Sequence, residues 1–328
     1  MTAYRALAPA KINLGLFVGP VRDSDRRHEL VSVMQSISLA DELTLAPAPG
    51  PRPSREDEVV CPGVPGRAED NLAAAALRAF REATGWDGPP QLLRIDKRIP
   101  VAAGLAGGSA DAAAALRLAR AASGLGDDEL LQAIAARLGA DVPAQVAPGR
   151  WLAGGAGERL VRLPAPERQL AVLVIPAAGE LSTAAVFAEL DRTAAARTPA
   201  ELSELASDLR GAFAHGAPLP AARELLHNDL QRPAASLCPE IVRTLQLARR
   251  AGLAGEAFVS GSGPTVVCTF ARSDGSQEAE ALAHEARARL GEAGVRRALL
   301  AVAVEEEFGA PRPLAETDAS PDDRQPRL

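Results

Sequence analysis

Lysine is almost missing from this chain. Of the 36 basic residues among 328, only Lys11 and Lys97 are lysines; the rest are arginines. Where arginine serves as the generic cation, each surviving lysine invites the question whether a compact ammonium is needed there. Basic residues are also outnumbered by 42 acidic ones, for a net charge of -6, so there is no cationic surplus to neutralise a nucleic-acid backbone. Aromatics reach only 3%, too few for the stacking platforms of single-strand binders. Cys61, Cys238 and Cys268 are far apart and odd in number, which fits neither a disulfide framework nor a paired-cysteine metal site, and they read as reduced and mostly core. Four histidines, His28, His215, His227 and His284, show no metal-ligand spacing. No apolar run approaches the roughly 18 residues of a membrane span, and the opening residues lack a signal-peptide pattern. The expectation is a cytoplasmic protein with a small-molecule substrate, no nucleic acid, no membrane and no obligate protein partner.

What is present is ordinary globular material, 47% hydrophobic and 24% charged, enough for about two domains. The alternating stretch ALAPAKINLGLFVG predicts a strand over 10–18, and 30–45 reads as one or two more, broken near Ala40-Asp41. Alternate prolines from Pro47 to Pro53 mark a loop. A helix capped by Asp70 or Asn71 runs to Gly85, a strand covers 92–100, and an Ala-rich helix from Ser109 or Ala110 ends near Gly124. A third helix, capped at Asp127 or Asp128, exits at Gly139 and delivers Asp141 into a loop, with Pro143 opposing immediate continuation. A hairpin follows Trp151, then an apolar strand to Pro176 and helices over 183–193, 199–214, 219–230 and 239–251. EAFVSGSGPTVVCTF predicts strand, turn, strand, followed by a helix over 276–290 and a last strand in 295–305. Helices and strands mixed in both halves give an α+β class with mostly antiparallel pairing. The division implied is 1–162, 163–308, and a disordered tail over 309–328, which holds four prolines and seven charges.

The strongest local signal is the run Pro100, Val101, Ala102, Ala103, Gly104, Leu105, Ala106, Gly107, Gly108, Ser109, Ala110, which passes from a glycine-rich turn into a helix. Glycines allow close backbone approach, and a helix start offers free N–H groups and a positive dipole end, a geometry that suits phosphate. It is neither a GxxxxGK[ST] loop nor a GxGxxG fingerprint, and a turn kept glycine-rich for packing alone would read the same. Lys11 and Asn13 share one strand face. There an ammonium can polarise a hydroxyl or balance phosphate charge, although a lone strand lysine is more often a solvated edge residue. Asp141 can take up a proton from an alcohol, or simply serve a turn. Gly261, Ser262 and Gly263 form a second glycine-rich turn able to hold an anion by its amides, or a plain hairpin.

Taken in order, APAKINL from Ala8, IPVAAGLAGGSADAAAAL from Ile99 and VSGSGPTVV from Val259 resemble the signatures of the GHMP kinases, small-molecule kinases for substrates such as galactose, homoserine and mevalonate. Further pieces, HEL, LADELTL, DNL, IDKRIP, LGADVP and HNDL, are similar to the branch that phosphorylates the 2-hydroxyl of a cytidine-diphosphate-linked methylerythritol in non-mevalonate isoprenoid synthesis. The resemblance implies a catalytic N-terminal domain, a smaller C-terminal one and a cleft between them. ATP would lie on the Pro100–Ala110 loop with Asn71 at the nucleoside, and Mg²⁺ near Ser109. Lys11 and Asp141 would be the catalytic pair, Asn13 would hold the acceptor hydroxyl, and Gly261 to Gly263 would close on the diphosphate. That branch usually writes Gly-Tyr before the histidine and stacks the tyrosine on the cytosine. Here Arg26-Arg27-His28 stands instead, with Phe187 matching the aromatic on the other face. A guanidinium plane at Arg27 can stack on a base in its place. The alternatives are a kinase of a homoserine- or sugar-like alcohol, or a non-catalytic nucleotide-binding relative.

Overall fold

The computed structural model describes residues 2–49, 56–64, 70–193, 196–251, 256–271 and 279–314. Its frame is one long antiparallel pair, β1 (Tyr4–Val21) and β2 (His28–Pro47). The break expected at Ala40-Asp41 does not occur. Instead the register slips from Pro9↔Ala40 to Ala10↔Ile37, leaving 38 and 39 without a partner on β1, so a bulge absorbs the irregularity and pairing resumes. β3 (Glu58–Val60), α1 (Leu72–Thr84) and β4 (Gln91–Asp96) follow, and β4 pairs with β2. The side chain of Asn71 caps α1 by accepting from Ala73 N, and Gly85 ends it in a left-handed conformation. Residues 50–55 of the proline loop lie outside the described residues.

α2 (Gly107–Ser123) starts earlier than the expected Ser109 or Ala110, because Ala106 takes up a left-handed conformation at the N-cap. After α3 (Asp128–Leu138), Pro143 stands in the first turn of the short α4 (Val142–Val146), where the missing N–H costs nothing. The hairpin β5 (Arg150–Gly154) and β6 (Arg159–Arg162) joins the other edge of β2. Next come β7 (Ala171–Ile175), α5 (Thr183–Thr193) and α6 (Pro199–Phe213), the last opened by a Thr198/Glu201 capping box.

The helix expected over 219–230 is corrected to a single 3-10 turn at Arg223–Leu225, followed by extended chain that bonds Leu16 through both its N–H and C=O. Asn228 and Asp229 spend their side chains on backbone N–H groups, which competes with helix. The helices α7 (Gln231–Leu237) and α8 (Glu240–Ala251) come next, then β8 (Glu256–Val259), β9 (Val266–Phe270), α9 (Ala279–Glu292), β10 (Leu299–Val302) and β11 (Arg312–Pro313). β11 pairs with Tyr4 and Arg5, so the tail expected to be disordered from 309 is ordered structure through its first residues.

One sheet runs β11-β1-β2-β4-β3 with β5 and β6 attached to β2, and a second runs β10-β7-β9-β8. Every pairing is antiparallel except β3 with β4. β1 crosses three cores: Ala6 and Ala8 pack with α1 and α2, Ala10, Ile12 and Leu14 with α6 and β7, and Leu16 and Val18 with α7, α8 and β9. Alternation sends its odd-numbered Lys11 and Asn13 to the opposite face, where a cleft opens.

Candidate active site

The cleft encloses about 1050 Å³ and is lined by strands of the first sheet, the glycine-rich loop, α5 and the turn that joins β8 to β9, near the upper end of the roughly 300–1,000 Å³ typical of ligand sites. On its floor the Lys11 ammonium donates to Asn13 Oδ1 at 2.8 Å and faces Asp141 Oδ1 at 3.6 Å. Asn13 Nδ2 donates to Ser32 Oγ at 2.7 Å, and Ser32 donates to Gly15 O, which fixes the amide's orientation. Lys11 and Asn13 are buried, whereas the Asp141 side chain is one-third exposed and makes no capping hydrogen bond at the start of α4.

The glycine-rich loop is tied to the same strand, since Lys11 N donates to Leu105 O at 3.1 Å. Its backbone is left-handed at Ala102 (φ 53°), Gly104 (φ 74°) and Ala106 (φ 55°). Two alanines held in a conformation that disfavours a Cβ place strain at this loop, as functional loops often do. Gly107 and Gly108, expected to be part of the bend, are helical. A Cβ on Gly107 would lie 3.1 Å from Ile99 and 3.4 Å from the Lys97 ammonium, whereas one on Gly108 would meet nothing within 4 Å. Gly104 is where the two halves meet: its added Cβ would fall 2.5 Å from Ser260 O and 2.8 Å from Gly263 O. The second glycine-rich turn is held in turn by Asn228, whose Nδ2 donates to Val259 O and Gly261 O, and by a Thr183–Ser262 hydroxyl pair at 3.0 Å.

Lys97 lies under the loop and pairs with two carboxylates, Asp41 and Asp111, the latter at 2.7 Å. Asp41 also accepts from Arg98 N and Ile99 N, aligning the chain that leads into the loop. Burial works to discharge Lys97, but the charges and hydrogen bonds of Asp111 and Asp41 outweigh it and hold the ammonium above its ordinary pKa. Asp111 is pushed up to about 7, by burial first and then by Asp41's charge, against the pull of Lys97. Its Oδ1 is buried without a partner.

At the other end, the rings of His28 and Phe187 lie 4.9 Å apart at 30°, and His28 Nε2 bonds Asp191 at 2.8 Å. Arg26, at φ 61°, and Arg27 also line the cleft. Their loop is braced by Arg22, which grips both Asp25 and Glu158.

Lys11, Asn13, Arg27, His28, Asn71, Pro100 through Gly108, Asp141, Phe187 and Gly261 through Gly263 therefore line one cavity. Ser109 and Ala110 do not: with α2 starting at Gly107, Ala110 points into the core and Ser109 lies outside the lining. Sequence reading gave no role to Asp41, Asn228, Ser32 or Thr183. For Asp41 a signal was available, a carboxylate set among apolar strand residues.

Two family models match the chain, "GHMP kinases N terminal domain" over residues 71–149 and "GHMP kinases C terminal" over 209–292. It is 41% identical over 298 residues to a 4-diphosphocytidyl-2-C-methyl-D-erythritol kinase of Anaeromyxobacter dehalogenans, covering 88% of each protein. It is 45% identical over 267 residues to the enzyme of the same name from Nocardia farcinica, covering 80% of this chain and 83% of that one. A crystal structure of 4-(cytidine 5'-diphospho)-2C-methyl-D-erythritol kinase superposes with a TM-score of 0.68 at 30% identity, over 92% of this chain and 99% of that one. A homoserine kinase from Cytophaga hutchinsonii superposes at 0.71 but at 15% identity, over 96% and 98% of the two chains, and shares the fold alone. With its three signatures gathered in one cleft and these relatives matching most of its length, the chain belongs to the GHMP kinases, on the branch of the 4-diphosphocytidyl-2-C-methyl-D-erythritol kinases.

Proposed function

We propose that the protein transfers the terminal phosphoryl group of ATP to the 2-hydroxyl of 4-diphosphocytidyl-2-C-methyl-D-erythritol. The observation that carries this reading is the meeting of Lys11 and Asp141, 130 positions apart, at 3.6 Å in the cleft bounded by both glycine-rich turns. Phosphoryl transfer asks for positioning and charge stabilisation more than for covalent chemistry by the protein. A hydroxyl on a carbon that also bears a methyl group is crowded, so its orientation matters more. Asn13, fixed through Ser32, holds that hydroxyl. The Lys11 ammonium lowers the cost of developing negative charge on its oxygen, and the Asp141 carboxylate, not engaged in capping, takes up its proton.

The 101–108 loop and the α2 N-terminus suit a polyphosphate, because Gly108 leaves open space where a Cβ would stand. Asn71, which lines the cleft while its Oδ1 caps α1, would stand beside the nucleoside. The described residues hold no group of three or more His, Cys, Asp or Glu that would cage a metal. Mg²⁺ would be held mainly by the nucleotide's phosphates and water, as suits an ion that dehydrates reluctantly. It would supply charge neutralisation. The Ser109 hydroxyl, on the first turn of α2 but outside the cleft lining, is the weakest of the expected contacts. Phe187, His28 and Arg27 gather at the end assigned to the cytosine, with the Arg27 guanidinium plane stacking on the base.

The test is ATP consumption with the cytidine-linked polyol, homoserine and simple sugars, repeated with Asp141→Asn. Turnover confined to the cytidine-linked polyol, lost by about 10²-fold or more in kcat in the variant, supports the reading. Turnover with another alcohol, or nucleotide binding without turnover, overturns it.

A further inference from the structure

The helix that carries Asp141 is only five residues long, too short to hold its own place. Its register against the strand of Lys11 is held by Arg117, which donates to the carbonyls of Gln145, Val146 and Leu7, and by the side chain of Gln145, which is 1% exposed. Gln145 Nε2 donates to Pro9 O at 3.1 Å, and its Oε1 accepts from Ser36 Oγ at 3.4 Å. Gln145 follows Asp141 by four residues, so the two share a helix face. Pro9 precedes Lys11 by two residues. Four helical residues rise about 6 Å and two strand residues about 6.6 Å, so the pairs Asp141–Lys11 and Gln145–Pro9 match in spacing. Ser36 is the cross-strand partner of Lys11, so Gln145 holds both the strand of Lys11 and its neighbour. The Pro9 carbonyl also sits at one of the three places where the β1–β2 register slips.

We propose that Gln145 is a positioning residue for phosphoryl transfer, setting the separation of the Lys11 ammonium and the Asp141 carboxylate by pinning α4 to β1 at a second point. The inference rests on the kinase reading above.

Gln145→Met keeps the volume and removes both hydrogen bonds. A displacement of about 1 Å at a catalytic group costs up to roughly 10²-fold, so kcat is expected to fall 10- to 100-fold. KM for ATP and for the alcohol should stay within about twofold. The control is Gln91→Met, which removes another buried glutamine's bond to a backbone carbonyl, that of Pro89, outside the cleft. It should lower the melting temperature comparably and leave kcat intact. In the Asp141→Asn background, Gln145→Met should add nothing further, because its effect passes through that carboxylate. Should Gln145→Met fold poorly, Ser36→Ala removes one strut from the opposite side, together with the bond that Ser36 Oγ accepts from Gly149 N, and should lower kcat by a smaller factor, again with no effect in Asp141→Asn. If kcat is unchanged in a folded Gln145→Met, if the loss persists at full size in Asp141→Asn, or if Gln91→Met loses as much, the proposal is wrong. Absence of turnover in the unmodified protein would instead reject the kinase reading itself.

Discussion

Two glycines four residues apart in the loop answer the same substitution with opposite signs. Gly108 is helical, and a Cβ there meets nothing within 4 Å. Alanine restricts the unfolded chain and suits a helix better, so Gly108→Ala should stabilise the free protein by about 0.5 kcal/mol, or roughly 1–2 °C in melting temperature. The new methyl, however, occupies the space through which an anion reaches the amides at the start of α2. Losing one hydrogen bond to a charged phosphate costs about 1.5–3 kcal/mol, so the KM for ATP should rise between about 10- and 160-fold. Gly104 behaves differently. A left-handed alanine costs about 1–2 kcal/mol, and its Cβ would lie 2.5 and 2.8 Å from two backbone carbonyls of the opposing turn, which no side-chain rotation relieves. Gly104→Ala should therefore destabilise by at least about 2 kcal/mol and lower the melting temperature by several degrees. Thermal melts with and without nucleotide, together with KM for ATP, read out both variants. A Gly108→Ala protein that melts higher and keeps its KM for ATP within twofold would refute the placement of the phosphates on this helix start.

Two further outcomes follow from the cleft. Arg27→Ala should raise KM for the cytidine-linked alcohol about 2- to 30-fold, the worth of a guanidinium stacked on a base, and leave KM for ATP unchanged; an unchanged KM for the alcohol sinks the stacking role. Asp111, raised to about 7 in the fold chiefly by burial, binds its proton more tightly folded than unfolded. Its contribution to stability is complete below about pH 4 and is lost as pH rises toward 7, so denaturant stability should decline across that window and Asp111→Asn should flatten the decline. A slope identical in the two proteins would rule out Asp111 as its source.

Much of this molecule was legible in its residues, and what was legible shares a physical trait. Asn71 and Asp127 announce helix starts through local side-chain hydrogen bonds, and Gly85, left-handed, and Gly139, extended, mark the ends, so α1 and α3 lie where capping places them. The cleft's lining was legible because glycine-rich turns and a scarce lysine carry chemistry in their own residue types. Lys97 shows the reach of that scarcity: the only other lysine is also in the cleft, held by Asp41 and Asp111. What was not legible depends on pairing between distant segments. The 219–230 stretch reads as helix from its composition, but Asn228 and Asp229 commit it to Leu16, Val18 and the 259–261 turn. The early start of α2 follows from Ala106 accepting a conformation that its side chain disfavours, which only the packed loop enforces. Gln145 belongs to this second kind. A glutamine inside DVPAQV carries no chemical signature, and it acquires a role only because a helix rise of four residues matches a strand rise of two against Pro9 and Lys11. Residue type thus points to the groups proposed to react, while the proposed control of the distance between them lies with polar residues whose partners only the fold supplies.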